Sequence, residues 1–102
     1  MERGKVMKQV QEMHNRMAKL QAELGDMRIA GRAGGGAVTV TVDGNQRVLE
    51  VDIQPEALEE GSELLADMVM AACNDALDRS RAAGSEHMGQ LTAGLKLPPG
   101  LL

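Results

Sequence analysis

The sequence predicts an α+β fold: a long N-terminal helix, a three-stranded antiparallel sheet, a second long helix and a short C-terminal helix, assembled as a homodimer. Three observations lead there. Val6, Val10, Met13, Met17, Leu20, Leu24 and Met27 recur in alternating steps of four and three, the spacing of a helix-packing seam. Residues 37–42 read Ala-Val-Thr-Val-Thr-Val, the strict alternation of a half-buried strand. Helical and strand patterns are also segregated along the chain instead of alternating, which excludes a parallel βαβ arrangement.

The seam belongs to a helix over about residues 4–27, with Gly25 a weak point near its end. On a 100° wheel, Lys5, Lys8, Glu12, Arg16, Lys19 and Glu23 share a narrow polar sector beside the apolar stripe. In one reading that sector is only a solvated face, laced by i,i+4 pairs such as Glu12–Arg16 and Lys19–Glu23. Such pairs contribute roughly 0.2–0.5 kcal/mol each.

Residues 27–32 form a short first strand, followed by a flexible link through Ala33, Gly34, Gly35 and Gly36. The second strand, 37–42, turns through Asp43, Gly44 and Asn45, residue types that tolerate positive φ. The third strand, 47–53, returns with Leu49, Val51 and Ile53 on one face. Pro55 ends it, and residues 56–62 make an acidic connection with room for a helical turn. The second long helix covers 63–83, with Ser62 as its N-cap and Gly84 as its stop. Its apolar face is Leu65, Met68, Val69, Ala72, Cys73 and Ala76. A short helix over 86–91 follows, then a Gly/Pro-containing tail expected to be mobile.

Composition supplies the argument for a dimer. The chain has 102 residues and contains no Phe, Trp or Tyr, so eight Met with Val, Leu and Ala must fill the interior. A chain of this size buries only about 60–70% of its unfolded surface. A thin aliphatic core of that kind gains from a partner's apolar surface.

Charge is divided unevenly. Residues 1–32 carry seven basic and four acidic side chains, a balance of +3; residues 33–102 carry four and eleven, or −7, within a chain total of −4. This asymmetry speaks to partners more than to fold: an anionic partner can meet the first helix while the acidic body is held away.

Several chemistries find no support. The single Cys73 excludes an intramolecular disulfide and the usual cysteine zinc sites. No segment approaches the ~20 apolar residues of a membrane span, and the N-terminus lacks the apolar run of a signal peptide, so a cytoplasmic location without membrane contact is expected. Gly34, Gly35 and Gly36 precede a strand and no Lys follows, which argues against a phosphate loop. His14 and His87 are the only imidazoles and neither has a ligand set around it in sequence. No catalytic residue, metal site, cofactor or small-molecule substrate is expected, and the protein is read as non-enzymatic. Without aromatic side chains, stacking on unpaired bases is not available. If nucleic acid is bound, it is duplex DNA held through its phosphates by Lys and Arg.

Five segments carry a resemblance. They are Met7-Lys8-Gln9-Val10-Gln11-Glu12-Met13; Gly34-Gly35-Gly36-Ala37-Val38-Thr39-Val40-Thr41-Val42-Asp43-Gly44; Val51-Asp52-Ile53-Gln54-Pro55-Glu56; Ala71-Ala72-Cys73-Asn74-Asp75-Ala76; and Met88-Gly89-Gln90-Leu91-Thr92-Ala93-Gly94-Leu95 with Leu97-Pro98-Pro99-Gly100. In this order they resemble the YbaB/EbfC family of bacterial nucleoid-associated proteins along nearly the whole chain. The resemblance implies one domain over 1–92 with a flexible tail over 93–102, and a homodimer whose sheets and second helices form a shared body. The first and last helices would project as a tweezer-like pair that binds duplex DNA at the nucleoid, with regulatory roles in some members. By position, Lys5, Lys8, Arg16 and Lys19 are the candidate phosphate contacts. Val10, Met13, Met17, Leu20 and Leu24 are the helix-packing or dimer residues. The terminal helix adds little charge: His87, with Arg79, Arg81 and Lys96 flanking. A protein-interaction adaptor, whose Met-rich stripe accepts a partner helix, stands as the alternative.

Overall fold

The computed structural model describes residues 2–93. In chain order these form α1 (Glu2–Gly25), β1 (Ile29–Ala33), a 3-10 turn (Gly34–Gly36), β2 (Val38–Val42), β3 (Val48–Ile53), α2 (Pro55–Leu58) and α3 (Ser62–Ala93). The expected tail over 93–102 lies outside the described residues beyond Ala93.

The three strands make an antiparallel meander in the order β1-β2-β3. Alternation in β2 does what a period of two requires. Val38, Val40 and Val42 are fully buried, while Thr39 and Thr41 are half-buried on the opposite face. Opposite those valines in the ladder stand Ala33, Gly31 and Ile29 of β1. The core is this face of the sheet closed by Ala72 and Ala76 of α3, with Leu65, Met68, Val69, Cys73 and Leu77 around them. The predicted apolar face of the second helix is therefore the one that packs, extended by Leu77.

Small residues set how closely helix and sheet approach. A Cβ on Gly31 would lie 2.2 Å from the Ala76 nitrogen and 2.5 Å from the Ala72 carbonyl oxygen, so α3 rests directly on the β1 backbone. Asp75 reinforces this seam. Its Oδ2 accepts the Arg32 backbone N–H at 3.0 Å and its Oδ1 accepts Arg79 Nε at 3.1 Å. First the Arg32 backbone N–H and then the Arg79 side chain hold the Asp75 carboxyl below its usual pKa.

Four local expectations are corrected. The glycine run is no loose link: Ala33 closes β1, and Gly34, Gly35 and Gly36 all adopt positive φ in a compact turn. In the β2–β3 loop, positive φ falls on Gln46 and not on the Asp43-Gly44-Asn45 run. The reason is that Asp43 Oδ1 accepts the backbone N–H groups of both Asn45 and Arg47 at 2.9 Å, which shapes a longer loop than a tight hairpin turn. Leu49 does not share a face with Val51 and Ile53 in a regular register. Thr41 pairs with Glu50 but Val42 pairs with Val48, leaving Leu49 as the extra residue of a bulge. Finally, the Gly61 carbonyl accepts the first bond of α3 from the Leu65 N–H, so Gly61 takes the cap position expected of Ser62.

The largest correction concerns the C-terminal half. The predicted stop at Gly84 and the separate short helix over 86–91 are one helix, because α3 runs without a break from Ser62 to Ala93. A glycine inside a helix costs about 1 kcal/mol relative to Ala, too little to end one with packing on both sides. Gly84 sits where α3 passes over the β2–β3 turn, with a Cβ position 3.6 Å from the Gly44 carbonyl oxygen.

Helix lengths then explain the outline. At 1.5 Å per residue, α1 spans about 36 Å and α3 about 48 Å. The long dimension of the molecule is 69 Å, with 23 and 17 Å across. Two helices side by side could not reach that length; α1 continues outward past the point where α3 leaves the sheet.

Candidate nucleic-acid interface

α1 ends at Gly25, two residues before the expected residue 27. Arg28 Nη1 donates to the carbonyls of Gly25 and Met27 at 2.8 Å each, satisfying groups the helix leaves open at its C-terminus. The base of the helix is then tied to the body at three points. The Gly44 N–H donates to the Leu24 carbonyl at 2.7 Å. Asn45 Nδ2 donates to the Gln21 carbonyl at 3.1 Å, and His87 Nε2 lies 2.6 Å from Glu23 Oε2. Gly44 has no room for a side chain here, since a Cβ would come 2.8 Å from the Leu24 carbonyl oxygen. Behind it, Ser80 Oγ donates to the Asp43 carbonyl at 2.7 Å, locking the turn to α3.

The apolar seam divides at this anchorage. Leu20 is 8% exposed, whereas Val6, Val10, Met13 and Met17 are 56, 47, 65 and 55% exposed. Of the five residues assigned to helix packing, Leu20 and half-buried Leu24 meet the body. Val10, Met13 and Met17 lie on the projecting arm.

Lys5, Lys8, Arg16 and Lys19 are all exposed on that arm. From Lys5 to Lys19 is fourteen residues in sequence, about 21 Å of helix. Among the described residues none of these four cations is held in an ion pair. The pairs Glu12–Arg16 and Lys19–Glu23 are not formed, and Glu23 turns to His87 instead. The flanking cations of α3 differ: Arg79 pairs with Asp75 at 3.1 Å and Arg81 with Asp78 at 2.9 Å. The unpaired positive charge is thus concentrated on α1, the part of the molecule farthest from the acidic body.

The anchoring residues Glu23, Gly44, Asn45 and His87 were not among the sequence candidates. Asp-Gly-Asn signals a turn but gives no hint that the turn also receives a helix end. Elsewhere, the described residues include no group of three or more His, Cys, Asp or Glu side chains placed to hold a metal ion. No helix among them is long and apolar enough to cross a membrane.

The arrangement is thus a helical arm with unpaired cations, set on an α+β body that supplies its mooring. The YbaB/EbfC DNA-binding family matches residues 1–95, and the chain belongs to that family. A nucleoid-associated protein of Pelotomaculum thermopropionicum is 46% identical over 96 residues, covering 93% of this chain and 91% of that one. The crystal structure of an uncharacterized protein from Helicobacter pylori superposes with a TM-score of 0.68 at 22% identity. That match covers 88% of this chain and 91% of the other, and at this identity it concerns the fold.

Proposed function

We propose that the protein is a nucleoid-associated, non-enzymatic protein that binds duplex DNA as a homodimer through phosphate contacts from Lys5, Lys8, Arg16 and Lys19. The observation that carries this reading is the set of four unpaired cations on one projecting helix. Family membership and the nucleoid-associated relative support DNA and the nucleoid as partner and location. Long side chains on one helix edge reach phosphates, and nothing aromatic is present to stack on open bases. Binding of this kind is weakly selective for sequence and strongly dependent on salt.

Dimerisation answers the thinness of the core. Val48, Leu49, Val51, Leu58, Leu64 and Met70 are exposed on the body in addition to the apolar stripe of the arm. So much exposed aliphatic surface on a small chain is a mark of association. Two copies also double the cations offered to one duplex.

The test is a salt titration of duplex binding, with the mass of the free protein measured alongside. Log affinity should fall linearly with log salt, with a slope of roughly 0.9 per phosphate neutralised. Lys8→Glu with Lys19→Glu should weaken binding to all sequences alike and flatten the slope by about 2 per protomer engaged. Binding indifferent to salt and to these changes would reject the reading. The exposed Val10, Met13 and Met17 favour one other reading, an adaptor that takes a partner helix on this stripe. No shift of any duplex at low salt, with tight binding to a protein, would select it.

A further inference from the structure

The candidate phosphate contacts and the apolar stripe occupy two sectors of α1, and a third sector carries the amides of Gln11 and Asn15. These two lie about 40° apart on the wheel and about 6 Å apart along the helix axis. Their sector is turned roughly 150° from the centre of the stripe formed by Val6, Val10, Met13 and Met17. A second copy packed on that stripe therefore leaves the amides uncovered. Both residues are exposed, and among the described residues neither side chain has a hydrogen-bond partner. Ala18 and Ala22, beside them on the sector, are exposed and short, so the amides stand out from the helix surface. Cations flank the pair on both sides. Lys8 and Lys19 lie about 40–60° from its midpoint in one direction and Arg3 about 100° in the other. Arg3 is exposed and, among the described residues, held in no ion pair.

Phosphate binding requires only the cations. A carboxamide adds a donor and an acceptor side by side, the pattern that matches N7 and the N6 amino group of adenine in the major groove. That groove is about 12 Å wide and admits a helix, placing a phosphate wall along each of its flanks. A helix with amides at the centre and cations to either side fits this setting better than one laid against a single strand. We propose that α1 enters the major groove with Gln11 and Asn15 turned to the base edges, each amide donating to adenine N7 and accepting from its N6 amino group. Lys8 and Lys19 then face one phosphate wall and Arg3 the other. The inference rests on the duplex-DNA reading above and names what the arm recognises there. The spacing of the amides corresponds to about two base-pair steps of 3.4 Å. Two A·T pairs are too few to define a single site, so binding remains broad and acquires a bias in base composition.

The experiment compares the affinity of the full chain for three duplexes of equal length. One contains only G·C pairs, one is rich in A·T, and the third is the A·T duplex with 7-deazaadenine in place of adenine, which lacks the N7 acceptor. The wild-type protein should prefer the A·T duplex to the G·C duplex roughly tenfold, the scale of one bidentate pair. Gln11→Ala with Asn15→Ala should remove that preference while leaving G·C binding and its salt dependence as in the wild type. Alanine is the best helix former and every cation is retained, so unchanged G·C binding also shows that the variant is folded. The 7-deazaadenine duplex should bind the wild type no better than the G·C duplex does, which separates major-groove reading from recognition of a narrow minor groove. Equal binding of the A·T and G·C duplexes by the wild type, or a preference that survives in the variant or with 7-deazaadenine, would overturn the proposal. Those results leave the phosphate reading standing. Failure of every duplex to bind at low salt would overturn both, so the two failures are distinguishable.

Discussion

Glu23 and His87, separated by 64 positions in sequence, meet at 2.6 Å between Oε2 and Nε2. With the Gly44 and Asn45 bonds to the last turns of α1, this contact determines the direction in which the arm leaves the body. An arm that presents cations to a partner works best when it is held in place beforehand, since ordering it on binding would subtract from affinity.

His87→Ala should therefore act on the arm more than on the fold. The pair is partly exposed, with side chains 24 and 37% accessible, so its loss should lower global stability by no more than about 1 kcal/mol. Amide hydrogen exchange in the last turns of α1 should rise in the variant while β2 stays protected. Equal protection of α1 in both proteins would show that the Gly44 and Asn45 bonds suffice.

Gly31→Ala should be among the most damaging single changes to the fold. Its Cβ would fall 2.2 Å from the Ala76 nitrogen, a backbone atom that no rotamer change can move. Separating α3 from β1 is the only relief, and overpacking of this kind costs about 3 kcal/mol, at the upper end of its usual range. Urea unfolding should show the midpoint falling with little change in slope.

Asp43→Ala should loosen the turn that receives the arm. Two backbone N–H groups, those of Asn45 and Arg47, lose their acceptor in a nearly buried place. A loss of about 1–2 kcal/mol follows. Exchange should rise at Gly44 and Leu24 together, because their bond depends on the shape of the loop. Protection unchanged at both would refute the link.

Acid should expose the Asp75 seam. Its carboxyl is held below the ordinary value of 3.8, so the charged form is favoured in the folded state. The stability it supplies is complete above that ordinary value and is lost as the pH falls through the depressed one. Asp75→Asn should destabilise at neutral pH, and the gap from wild type should narrow as the pH drops below about 4. A gap constant with pH in parallel thermal melts would mean that Asp75 acts by shape alone.

Much of the fold is legible because its signals are local. The alternation of Val38 to Val42 and the 3–4 spacing of Leu65, Met68, Val69, Ala72, Cys73 and Ala76 each record which side of an element faces the core. The candidate cations were legible too, as a polar sector on one predicted helix. What misled were punctuation marks. Gly84 reads as a stop and Ser62 as a cap, yet helix ends depend on what lies across from them, and α3 has the β2–β3 turn and Glu23 to pack against. Leu49 reads as continuing the regular alternation of Val51 and Ile53, because alternation cannot reveal a bulge.

By itself the sequence determined the first long helix, the three strands and the start of the second long helix, in that order, with the lack of aromatics, the division of charge and the five segments that resemble the family. These properties follow from near neighbours in the chain and survive without any knowledge of the whole. Only the tertiary structure decided that the α1 seam is covered at Leu20 and Leu24 and open from Met17 outward. An apolar stripe looks the same in sequence whether or not anything lies against it. Whether it is covered depends on distant residues, here Gly44, Asn45 and His87, which hold one end of α1 and let the rest extend.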